Sequence, residues 1–191
     1  MYHLKGLLSD KLVEKDEKRY QLTAKGRHFI STLSLVTGRP RKQPQILTAV
    51  IARNEAGEYL WSRWHREPNT DRVSFPHGMM HYGESLADMA ALELAEKAGL
   101  EATLAFRGDV YVRTMRGDQP DHHMLVHLFE ASDPHPGRQN ELRPDVSEPF
   151  WAQLADVPRR EFLPGFYEIA RLVDDQPEGS IFADITVELK D

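Results

Sequence analysis

Ser85 and Gly99 bracket a segment that carries both ends of one helix, and this constrains the chain more than any other feature. Asp88 follows Ser85 at the spacing of a capping box, in which a hydroxyl and an acidic side chain serve the first free backbone N–H groups. Gly99, followed by Leu100, offers the left-handed residue that ends helices. On both sides the periodicity changes to that of strands. Ile46 to Asn54 and Glu58 to His65 are apolar, aromatic-rich runs joined by the turn Asn54-Glu55-Ala56-Gly57. Leu104 to Met115 and His122 to Ala131 form a second pair around Arg116-Gly117-Asp118-Gln119-Pro120, and Pro134 to Pro144 reads as a loop. A short strand at Phe150 to Leu154, a helix through Phe162 to Val173 and a closing strand from Ile181 to Leu189 complete the order. Elements mixed in this way predict an α/β layer fold, not a bundle or an all-β sandwich.

Residues 1 to 38 read as a separate helix-hairpin-helix element. Leu4, Leu7 and Leu8 lie at helical spacing, Leu12 to Leu22 alternates around Asp16-Glu17-Lys18, and Thr23 caps a second helix carrying Phe29, Ile30 and Leu33. Gly38 and Pro40 are its stop signals, residues 39 to 45 are a basic, Pro-containing linker, and the main domain is 46 to 191. Charge divides along the same line. Residues 1 to 43 hold ten Lys/Arg against four Asp/Glu, whereas the remainder holds 14 against 26, within a net charge of -6. An acidic body argues against a polyanion-binding main domain. The head resembles the back half of a winged helix-turn-helix. With half of that fold represented, the expected role is docking or homodimer formation, and DNA contact is the less favoured one.

The 191 residues contain no cysteine, which excludes disulfide frameworks, thiolate metal sites and cysteine nucleophiles and fits the reducing cytoplasm. The longest uncharged apolar stretch, Phe29 to Gly38, falls far short of the roughly 20 residues of a membrane span, so no membrane is expected.

The chemistry-bearing stretch runs from Phe75-Pro76-His77-Gly78 through Gly83-Glu84-Ser85 to Glu93-Leu94-Ala95-Glu96-Lys97. Glu93 and Glu96 are three apart on the helix, so their Cβ atoms project from one face about 5–6 Å apart. Two oxygen donors at that spacing suit a hard divalent cation, and the preceding turn adds the Gly78 carbonyl and Glu84. The competing reading is a solvated helix face held by a Glu93–Lys97 pair at i,i+4.

The whole stretch resembles the Nudix box, G-x5-E-x7-R-E-U-x-E-E-x-G-U with U aliphatic, because Gly78, Glu84, Glu93, Leu94, Glu96, Gly99 and Leu100 fall in register. The resemblance covers roughly Ile46 to Val173. It implies a Nudix-type α/β/α sandwich with a mixed sheet and a hydrolase that cleaves the diphosphate of a nucleoside-diphosphate-X substrate with Mg²⁺ or Mn²⁺. Glu93 is then the base or positioning ligand and Glu96 a ligand, with the Gly78 carbonyl and a water-mediated Glu84 completing the metal set. Arg63 and His77 are expected to contact the substrate, and the partner is a small-molecule diphosphate. Two positions depart from the box: Leu92 replaces its arginine and Lys97 its last glutamate. A loop acid, Glu141, Asp145 or Glu148, is the expected substitute ligand. The isomerase branch of the family requires a cysteine that this chain lacks. A ligand-sensing module acting on transcription through the head is the alternative to catalysis. Trp61, Trp64, Phe106, Tyr111 and Trp151 are read as core before a base-stacking pocket.

Overall fold

The computed structural model describes residues 2–17, 19–34, 36–137 and 142–189. Two compact units result, Met1–Gln43 and Pro44–Asp191. The first contains α1 (Tyr2–Ser9), β1 (Val13–Asp16), β2 (Arg19–Leu22) and α2 (Ala24–Ser31), with β1 and β2 antiparallel. Thr23 caps α2 by accepting from the Gly26 N–H at 3.0 Å, while its own hydroxyl donates to the Lys11 carbonyl at 2.6 Å. The helix ends at Ser31, well before Gly38, because the Thr32 hydroxyl and N–H both turn back onto the Phe29 carbonyl and Leu33 bridges to Pro40.

The second unit comprises β3 (Gln45–Ala52), β4 (Tyr59–Trp64), β5 (Val73–Ser74), β6 (His77–Met79), α3 (Leu86–Ala98), β7 (Leu100–Arg116), β8 (Gln119–Pro136), β9 (Ser147–Ala152), two 3₁₀ turns, α4 (Phe166–Asp175) and β10 (Ile181–Glu188). A five-stranded mixed sheet runs β10-β7-β8-β3-β6, parallel at β10/β7 and β3/β8 and antiparallel elsewhere; β5-β4-β9 form a second, antiparallel sheet. One core lies between the two sheets and α4, built on Trp61, Phe75, Val110, Val126, Phe166 and Ile169. The other lies beneath α3, where Val50, Leu60, Ala90, Leu94 and Phe129 meet. This is the α/β/α arrangement expected from the sequence, with a mixed sheet. Trp61 is fully buried, as the core reading requires, whereas Phe106 is 51% exposed.

Both caps of α3 form where the sequence places them. Ser85 Oγ accepts from the Asp88 N–H, and Gly99 adopts φ 65°, ψ 27°. The hairpin β7–β8 is longer than its alternation suggests, and Pro134 to Pro136 belongs to it, because Leu100 pairs with Pro136 immediately after the Gly99 turn. Conversely α4 starts at Phe166, since Leu163 is held by the Val73 carbonyl and Gly165 forms the cap.

Tyr59 gives the fold a measurable pH response. Its ring packs on Trp61 and Phe75; its hydroxyl accepts from Arg53 Nη2 at 2.7 Å and donates to Asp174 Oδ1 at 3.1 Å. Burial pushes the phenol up from 10.0 to about 12. A raised acid stabilises the fold fully below its unfolded pKa, so this contribution disappears as pH rises from about 10 to 12, a loss of roughly 2–3 kcal/mol. Urea midpoints of wild type and Tyr59→Phe are expected to diverge below pH 10 and converge above it.

Candidate active site

The site is assembled by β3, β6 and α3. Thr48 on β3 pairs with Gly78 on β6, so both point to the face that α3 covers. Met89, Ala90 and Leu94 anchor α3 on that face, and the same stripe carries Glu93 and Lys97 inward. Glu93 lies directly on Gly78. A Cβ built there would come within 1.8 Å of Glu93 Oε1 and 2.6 Å of Oε2, so no residue but glycine leaves room for this carboxylate.

Glu93 and Lys97 are each only 7% exposed. Lys97 Nζ stands 3.7 Å from Glu93 Oε2 and 3.9 Å from Glu96 Oε2, and it sits 5.3 Å from the centroid of the Trp64 ring. Lys97 is therefore on the glutamate face, not on a solvated one. Glu93 Oε2 is buried and makes no hydrogen bond. Burial raises the Glu93 carboxyl above its usual range; the attraction of Lys97 opposes this, and repulsion from Glu96 adds to it. Glu96 lies nearer the surface, with Arg143 Nε 3.9 Å from its Oε1.

The remaining expected site residues are placed differently. His77 is one residue from Gly78 on a strand, so its side chain enters the opposite face and the core between the sheets. Its Nδ1 lies 3.1 Å from the Phe75 carbonyl and 3.0 Å from Ser74 Oγ, and its ring packs on Trp64 and Phe166. Burial holds its pKa down at about 4, so it is neutral near pH 7. The structure thus buries His77 rather than presenting it to a substrate. Arg63 is engaged by Glu161 at 3.0 Å and the Asp71 carbonyl at 3.2 Å, over the Phe150 ring. Glu84 pairs with His81 at 3.2 Å and stays half exposed. Of the loop acids, Asp145 binds Arg66, Glu148 faces His65 at 3.9 Å, and Glu141 lies outside the described residues. Leu92 lines a groove between α3 and β7 with Glu101, Ala102 and Leu104.

The fit to a divalent ion can be tested on these atoms. Among the described residues no three His, Asp or Glu side chains are gathered as a metal-holding group. A buried carboxylate oxygen that makes no hydrogen bond, beside a second carboxylate, does suit one hard cation that shares its coordination with substrate phosphates, which is how Mg²⁺ is commonly held. The residues fit one such ion and do not offer a cluster of acids for several.

Sequence reasoning missed two features. Trp64 comes from β4, and only the folded chain brings it over Lys97. The His127–Asp109 pair, 2.6 Å apart, lies in one cross-strand row with Thr48 and Gly78; the only sequence signal was a cluster of histidines in strands.

The family model for the NUDIX domain matches residues 43–173. The chain belongs to the NUDIX family, a family of hydrolases that generally depend on divalent metals. Comparison with curated proteins gave no match. Among solved structures, the chain is similar to a NUDIX hydrolase from Nitrosomonas europaea (TM-score 0.54, 14% identity, 93% of each chain covered). It is also similar to a mutator MutT protein from Bacillus halodurans (TM-score 0.58, 16% identity, 74% of this chain and 89% of that one) and a MutT protein from Methanosarcina mazei (0.54, 21%, 72% and 99%). At these identities the likeness establishes the fold. No helix among the described residues is long and apolar enough to cross a membrane.

Proposed function

We propose that the Pro44–Asp191 unit hydrolyses the diphosphate linkage of a nucleoside-diphosphate-X substrate, with Glu93 and Glu96 as its catalytic acids and Mg²⁺ or Mn²⁺ as its cofactor. The observation that carries this reading is the close approach of the Glu93 carboxylate to Gly78, with one oxygen buried and without a hydrogen bond, facing the Lys97 ammonium at 3.7 Å. A surface glutamate that merely stabilises its helix has no reason to leave solvent. Glu93 and Glu96, with the Gly78 carbonyl and a water-mediated Glu84, are the groups that would hold the ion. When bound, such an ion neutralises phosphate oxygens and lowers the pKa of its water.

The chain's own residues supply the rest. Glu93, raised by burial, accepts the proton of the attacking water on a carboxylate oxygen that makes no hydrogen bond in the free protein. Lys97 offsets negative charge that the substrate brings into a site already holding two carboxylates. Arg63 contacts the substrate on exchanging Glu161 for a phosphate, since both side chains remain about a third exposed.

The Met1–Gln43 unit is assigned a docking role in a homodimer, supported by its exposed Leu7, Tyr20, Phe29 and Ile30. The cysteine-free sequence supports a cytoplasmic location. Incubation of the full chain with a library of nucleoside-diphosphate-X compounds, with Mg²⁺ and with Mn²⁺, tests the assignment when products are identified by mass. Cleavage between the phosphates of at least one member is expected. Binding without cleavage throughout would overturn it in favour of a ligand-sensing module acting through the basic head.

A further inference from the structure

Lys97 replaces a box glutamate, and its geometry shows more than the loss of a ligand. The ammonium is within 4 Å of both catalytic carboxylates and under the Trp64 ring, with the lysine and Glu93 side chains each 9% exposed. An ammonium so enclosed cannot leave for solvent without stranding a buried carboxylate, which keeps it in place.

We propose that Lys97 is a built-in diphosphate-binding cation that keeps the free site clear of metal, so that a divalent ion enters only together with the diphosphate. The inference rests on the assignment of Glu93 and Glu96 made above. In the free protein the two carboxylates already have a positive partner, and a divalent ion placed between them would stand close to a second cation. A diphosphate changes that balance. Its oxygens give the ammonium a stronger partner, for which a compact three-donor cation is well suited, and the carboxylates are released to an ion that the same phosphates share. The site then needs one metal ion where a full set of box glutamates would gather more, and metal and diphosphate strengthen each other's binding by the same factor.

Two titrations of the full chain test this. Mn²⁺ binding is followed by electron paramagnetic resonance, and the non-hydrolysable probe imidodiphosphate is titrated calorimetrically in EDTA. Lys97→Gln keeps a polar side chain, one atom shorter, and removes the charge. It is expected to bind Mn²⁺ alone at least tenfold more tightly than wild type and metal-free imidodiphosphate at least tenfold more weakly. Lys97→Arg keeps the charge and should behave as wild type in both, which also covers the case in which the glutamine variant does not fold. Unchanged affinities in Lys97→Gln, or loss of both in Lys97→Arg, would overturn the inference. Cleavage of a library member together with unchanged affinities would leave the hydrolase reading standing and remove only this one. Opposite shifts without any cleavage would do the reverse.

Discussion

Glu93→Gln is expected to lower kcat at least a hundredfold on whichever diphosphate the protein cleaves, because it removes the proton acceptor while keeping the shape that fills the space over Gly78. The amide also takes away one of the two carboxylates that face Lys97. Folding should survive, since glutamine is of the same size and the Lys97 ammonium keeps Glu96 Oε2 at 3.9 Å as its counter-charge. Steady-state kinetics and a thermal melt on the same preparation check both halves. A rate within twofold of wild type would remove Glu93 from the reaction.

Gly78→Ala is expected to be nearly as damaging by a different route. The new methyl group would occupy the space of the Glu93 carboxylate, 1.8 Å from Oε1, so either the side chain moves off the site or α3 lifts from β6. Overpacking of this kind costs about 1–3 kcal/mol. The urea midpoint should fall accordingly, with activity lost in the protein that remains folded. Gly6→Ala, inside α1 with no atom within 4 Å of the added carbon, is the matched control and should leave activity unchanged and not lower the urea midpoint, since alanine favours the helix over glycine. Equal behaviour of the two variants would show that the approach of Glu93 to Gly78 has no role in the site.

What the sequence disclosed and what it withheld follow from the range of the interactions involved. The ends of α3 were legible because Ser85, Asp88 and Gly99 act on backbone groups within four residues of themselves. The placement of Glu93 and Glu96 on one helix face was legible from spacing alone, and Gly78 became meaningful through its likeness to a known box. The direction of Lys97 was not. Spacing puts it beside Glu93, but whether that side is solvent or interior depends on Trp64, a residue from β4. His77 failed for a related reason. Its facing is set by the parity of β6, a strand of three residues that is too short to show alternation and that exists through its pairing with Leu47, Thr48 and Ala49. The end of β8 escaped because Ser132 to Pro136 is largely exposed and carries no apolar alternation, although Leu100, Ala102 and Leu104 do alternate with exposed residues at the start of β7.

The most direct test of the account is a crystal structure of the protein with Mn²⁺ and imidodiphosphate, the metal located by its anomalous scattering. One manganese ion is predicted in contact with the Glu93 and Glu96 carboxylates and with phosphate oxygens, and the Lys97 ammonium is predicted to have turned from those glutamates to the diphosphate. Manganese and diphosphate bound elsewhere, with Lys97 still paired to both glutamates, would contradict it.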